Sequence, residues 1–78
     1  MKILFLHGLE SLPGGSNVEY LQGLGHTVLN PLLPKADFEE SVRIAQEEVD
    51  LEDPDLIVGS SRGGAVAMAI DPGRARLI

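Results

Sequence analysis

The sequence contains no cysteine. Disulfide bridges and thiolate metal sites are therefore excluded, and with them the usual means of stapling a small fold. A long hydrophobic run is also missing. The N-terminal apolar stretch, Ile3 to Leu6, is too short for a signal peptide or a membrane span, so no membrane partner is expected. Positive charge is scarce: six basic side chains stand against 12 acidic ones, a net charge of −6. That balance argues against nucleic acid or an anionic lipid surface as a partner, because phosphates would be repelled. There is no internal repeat and no low-complexity tract. A cytoplasmic location is the default expectation.

What is present is the composition of a soluble globular protein, 44% hydrophobic and 23% charged. Its 78 residues allow one domain at most, 1–78, burying only about 60% of the surface that the unfolded chain exposes. Lys2 to Leu6 is a continuous apolar run suited to a strand buried on both faces. Gly8 to Gly15 reads as a loop, punctuated by Pro13-Gly14-Gly15. Ser16 opens a helix with Glu19 in capping-box position; it stops near Leu24, where Gly25 suits the left-handed position past the end. His26 to Leu29 reads as a second strand. After Pro31 and Pro34, Asp37 caps the clearest helix, with Glu40 three residues on and an apolar stripe of Phe38, Val42, Ala45 and Val49. The carboxylates between Glu47 and Asp55 read as a solvated helix end and turn, since no histidine stands among them at ligand-like spacing. Asp55 to Gly59 is a third strand. Gly63 to Ile70 is a small-residue helix, apolar almost all round and expected to be buried. Asp71-Pro72-Gly73 ends it, and Arg74 to Ile78 begins a fourth strand.

Strand-helix alternation of this kind predicts a three-layer α/β fold with helices on both faces of a parallel sheet of about four strands, and the order expected for them is 2-1-3-4. The sequence ends on Leu77-Ile78 inside an apolar run. That reads as a cut through a larger domain, with an exposed last strand through which copies would self-associate.

Gly59-Ser60-Ser61-Arg62-Gly63 matches the G-x-S-x-G nucleophile elbow, in which a serine sits on a sharp strand-to-helix turn. The context suits it: a buried strand directly before and an apolar helix directly after. The bland alternative is a glycine-rich turn with an incidental serine. The Arg62 amide, on the first helical turn, is placed to meet a developing oxyanion. A second donor would come from His7-Gly8-Leu9, because adjacent parallel strands end at the same sheet edge; Gly8 permits close backbone approach and the Leu9 amide would donate. The Arg62 side chain reads equally as a clamp for a substrate carboxylate or as a solvated cation. Gly14-Gly15-Ser16 could bind phosphate through free amides, but with neither a P-loop lysine nor a G-x-G-x-x-G run it reads better as a loop and N-cap.

Taken together, Leu4-Phe5-Leu6-His7-Gly8-Leu9 and Val58-Gly59-Ser60-Ser61-Arg62-Gly63-Gly64 resemble the N-terminal half of the α/β-hydrolases. The chain is most similar to small bacterial esterases of the YqiA type, which open on an LHG strand and carry a GSSRGG- or GSSLGG-like elbow. The resemblance spans essentially all 78 residues but only about half of a complete domain. It implies Ser61 as the catalytic nucleophile, the Leu9 and Arg62 amides as an oxyanion hole, and His7, Gly8, Gly59 and Gly63 in support. It also implies a small-molecule ester as substrate and no metal or organic cofactor.

The departure from that family is the rest of the triad, since an acid and then a histidine should follow the serine. After Ser61 there is one acid, Asp71, and no histidine. Asp71 lies a helix length away and reads as a turn residue. In the resembling family His7 supports its loop, and His26 falls at the opposite edge of the sheet. Without a base, turnover falls by on the order of 10⁶, so the chain alone is expected to be nearly inert. Two other readings stay open: a non-catalytic α/β module binding an anion or a protein, and one half of a split hydrolase.

Overall fold

The computed structural model describes residues 1–7, 16–34, 36–60 and 62–78, with the backbone alone at 16 and 17. In chain order these hold β1 (Lys2–Leu6), α1 (Ser16–Gly23), β2 (Thr27–Leu29), α2 (Phe38–Glu52), β3 (Leu56–Gly59), α3 (Arg62–Ala69) and β4 (Arg76–Leu77). The strands form one parallel sheet in the order β2-β1-β3-β4. This is the α/β architecture and strand order expected from the sequence.

The apolar run of β1 is continuous because both of its faces are covered. Leu4 and Leu6, with Ile57 of β3, meet Ala45 and Val49 of α2 and Val66, Ala67 and Ile70 beside α3 in one core. Ile3 and Phe5 alternate to the opposite face and are also buried, as is Val18 of α1, the helix that packs beside β2.

Helix ends follow the local sequence. Past α1, Gly25 has φ +90°, and the amides of Gly25 and His26 donate to the carbonyls of Gln22 and Leu21 at 3.0 and 3.3 Å. That pair of bonds is the Schellman closure, and it requires the left-handed backbone that glycine supplies. At α2, the Asp37 side chain accepts from the Glu40 amide at 3.0 Å. The Glu40 carboxylate turns instead to Arg43, so the cap is one-sided rather than a reciprocal box. Asp53 ends α2 with φ 48°, and its amide donates to the Val49 carbonyl.

Two faces differ from the sequence expectation. On α2 the buried residues are Ser41, Ala45 and Val49, so the core stripe is rotated away from Phe38, which is 37% exposed. Ser41 can be buried because its hydroxyl lies within hydrogen-bond distance of the Pro34 and Asp37 carbonyls. On α3 only one side is covered: Gly63, Val66 and Ala67 are buried, whereas Ala65 and Ala69 are exposed and Met68 is 83% exposed. The sheet has no helix to place over that outer side among the described residues.

The amino edge of the sheet is clasped by charge. The Asp55 carboxylate accepts from the Lys2 backbone N–H at 2.8 Å and from Arg74 at 2.7 Å. Arg74 also bonds Asp53, and Lys2 pairs with Glu52. The backbone N–H of Lys2, with Arg74 beside it, holds the Asp55 carboxyl below the usual carboxylate range. The end of the acidic stretch thus sets the register of β1, β3 and β4 rather than being merely solvated. β4 is shorter than expected, beginning at Arg76 because Arg74 is taken up in this clasp. Leu77 on β4 remains 46% exposed.

Candidate functional site

Parallel register decides which residues meet at the carboxyl edge of the sheet. Leu6 of β1 lies opposite Gly59 of β3, so His7 and Ser60 leave their strands side by side. The Ser60 amide donates to the Leu6 carbonyl at 3.0 Å, and the Gly63 amide donates back to the Ser60 carbonyl at 2.9 Å. β3 ends at Gly59 and α3 begins at Arg62.

Both flanking glycines are fixed by contact rather than by dihedral angle, since neither has positive φ. A Cβ on Gly63 would fall 2.6 Å from the Leu6 carbonyl carbon and 2.8 Å from the His7 oxygen, and would meet the Leu6 oxygen closer still. A Cβ on Gly59 would stand 2.6 Å from the Gly64 Cα. The first turn of α3 is therefore seated directly on the end of β1. Only glycine permits that approach.

His7 is 5% exposed. Its Nε2 accepts the backbone N–H of Leu33 at 3.0 Å, so that nitrogen carries a lone pair inward and ties the loop after β2 to the end of β1. His26 lies at the other edge, where Thr27 bonds the Met1 carbonyl and the imidazole Nδ1 stands 3.4 Å from the terminal amine. Asp71 accepts the Gly73 amide and is held by Gln46, as a turn residue.

Arg62 is half-buried at the first position of α3. Its guanidinium lies over the Phe38 ring, 5.6 Å from the centroid, and its Nε is buried with no hydrogen-bond partner among the described residues. Its backbone N–H has no intrahelical acceptor, and no described residue accepts from it. Phe38 is the first residue of α2, so two helix N-termini converge here and add positive potential at this edge.

Of the site residues expected from sequence, the structure brings together His7, Gly59, Arg62 and Gly63. Ser61, Gly8 and Leu9 lie outside the described residues, as does the glycine pair before Ser16. Two partners were not read from the sequence: Leu33 as donor to His7, and Phe38 as platform for Arg62. The strand order held the signal for both, because the loop after β2 and the start of α2 must return to this same edge. Among the described residues no group of three or more His, Asp or Glu side chains could hold a metal ion. A 460 Å³ depression lined by Val42, Arg43, Gln46, Glu47, Asp50 and Leu51 runs along the outside of α2 and holds none of the site residues. Comparison with family models, with curated proteins and with solved structures found no match to this chain.

Proposed function

We propose that this chain carries the nucleophile and oxyanion half of a serine-dependent esterase, with Ser61 as nucleophile. The observation that carries the reading is the seating of Gly59 and Gly63, which lets α3 begin directly against the end of β1. Ser61 follows Ser60 in sequence, and Ser60 leaves β3 at the carboxyl edge, where an open parallel sheet binds ligands. The resemblance to small bacterial α/β-hydrolase esterases points the same way.

In this reading the Ser61 hydroxyl attacks the carbonyl carbon of a small-molecule ester and gives its proton to a base. The tetrahedral oxyanion accepts from the Arg62 amide and, from the loop after β1, the Leu9 amide. Collapse breaks the bond to the alcohol oxygen, which leaves with the proton. Water then attacks the acyl-serine, the acid departs and Ser61 is restored. The base is neither histidine of this chain: the Nε2 of His7 is engaged by Leu33, and His26 stands at the far edge. A histidine and its acid would have to come from outside these 78 residues.

Expressed from its complete reading frame, the protein should hydrolyse a short-chain 4-nitrophenyl ester, and Ser61→Ala should abolish turnover. Undiminished turnover in the variant would remove Ser61 from the mechanism. The second reading is a non-catalytic anion-binding module. The Arg62 Nε, buried with no partner among the described residues, favours it, and it requires no base. Absence of any turnover from the complete protein, with ligand binding retained, would select it.

A further inference from the structure

Three of the arginines differ sharply in how their charge is met. Arg43 pairs with both Glu40 and Glu47, and Arg74 pairs with both Asp53 and Asp55. Arg62 has no ion pair among the described residues, although the sequence holds 12 acidic side chains. α2 carries acids at Glu39, Glu40, Glu47 and Glu48, yet what it sets beneath Arg62 is the Phe38 ring. A guanidinium stacked on a ring face is held in place while its N–H groups, which lie in its own plane, stay directed past the ring edge. Nε is already out of water without an acceptor among the described residues. A half-desolvated cation with an unmet donor gains more from an anion than a solvated one does.

We propose that Arg62, braced by Phe38, is the recognition group for a carboxylate on the substrate, so that the ester cleaved at Ser61 is a half-ester of a short dicarboxylic acid. The identity of the reaction rests on the Ser61 reading; the carboxylate site does not. Position supports it: Arg62 is next in sequence to Ser61, so a carboxylate held there keeps the rest of a short ligand at the elbow. The planar fork of the guanidinium matches a carboxylate. The net charge of −6 disfavours a phosphate dianion more than it does a monoanion. A neutral ester of the same length would gain nothing from this contact.

The test is binding, followed through the Arg62 side-chain Nε–Hε signal in ¹⁵N spectra of the chain titrated with monomethyl succinate. The expected result is a saturable shift confined to Arg62 and its neighbours, with the Arg43 and Arg74 signals unmoved. Dimethyl succinate should produce none, and inorganic phosphate should bind at least about tenfold more weakly. Arg62→Lys, which keeps the charge but loses the fork, should weaken binding about tenfold. Phe38→Leu should weaken it less, and backbone spectra report whether each variant is folded. Ser61→Ala should bind like the unaltered chain, so ester turnover undiminished in that variant of the complete protein, with binding retained, would overturn the nucleophile and not the carboxylate site. No shift at Arg62, an equal response to dimethyl succinate, or an equal response to phosphate would overturn the carboxylate assignment and leave Ser61 untouched.

Discussion

Gly63 and Gly64 are adjacent residues of one helix, and alanine at the two positions should act in opposite directions. Alanine improves a helix interior by about 1 kcal/mol over glycine. At Gly64 nothing opposes that gain, since the nearest atom to an added Cβ is the Gly59 oxygen at 3.8 Å, an ordinary contact. At Gly63 the Cβ would overlap the Leu6 carbonyl and crowd the His7 oxygen. All of these are backbone atoms, and the Leu6 carbonyl is also bonded to the Ser60 amide, so no side chain can swing aside. Overpacking costs about 1–3 kcal/mol where side chains can adjust; here a net loss of roughly 2–3 kcal/mol is expected after the helix gain is subtracted. A domain of this size has only about 4–12 kcal/mol of stability in all. In urea, with a slope of about 1 kcal/mol per molar for a small protein, Gly63→Ala should lower the midpoint by about 2 M and Gly64→Ala should raise it by up to about 1 M. Equal midpoints, or greater damage from Gly64→Ala, would mean that α3 does not sit on the end of β1.

Three further outcomes follow from other contacts. Asp55 has its carboxyl lowered by the Lys2 amide and then by Arg74, so its contribution is complete above the unfolded value of about pH 4 and is lost as pH falls through the folded one. Acid titration of stability should therefore be flatter below pH ~4 in Asp55→Asn than in the unaltered chain; parallel curves would remove Asp55 from the clasp. His7→Phe deletes the acceptor for the buried Leu33 amide, which should cost about 1–3 kcal/mol and speed hydrogen exchange at Leu33. Unchanged protection there would show that the bond is not made. On the exposed edge of β4, Leu77→Lys should suppress concentration-dependent association in sedimentation velocity; association undiminished in the variant would place the contact elsewhere.

The sequence was most legible where one residue type answers one local demand. Gly25 marked the end of α1 because only a left-handed residue closes a Schellman turn, and Asp37 marked the start of α2 because a short acceptor was needed there. Alternation marked the parallel α/β sheet, and the expected order 2-1-3-4, which the structure has, brings His7 and Ser60 to one edge. Periodicity failed where tertiary contact chose among similar faces. Phe38 fits the apolar stripe of α2, but Ser41, its hydroxyl satisfied locally, took the core position and left Phe38 to Arg62. α3 is apolar almost all round and yet half exposed, because hydrophobicity alone does not say which side has a neighbour. The carboxylates near Asp55 carry no spacing signal, since their partners Lys2 and Arg74 lie 53 and 19 residues away.

The most direct test of Ser61 as the nucleophile is covalent capture. The protein, expressed from its complete reading frame, would be treated with a fluorophosphonate and the modified peptide mapped by mass spectrometry. The expected result is a single adduct on Ser61, lost in Ser61→Ala and retained in Ser60→Ala. An adduct on Ser60, or no adduct on a folded protein, would contradict the assignment.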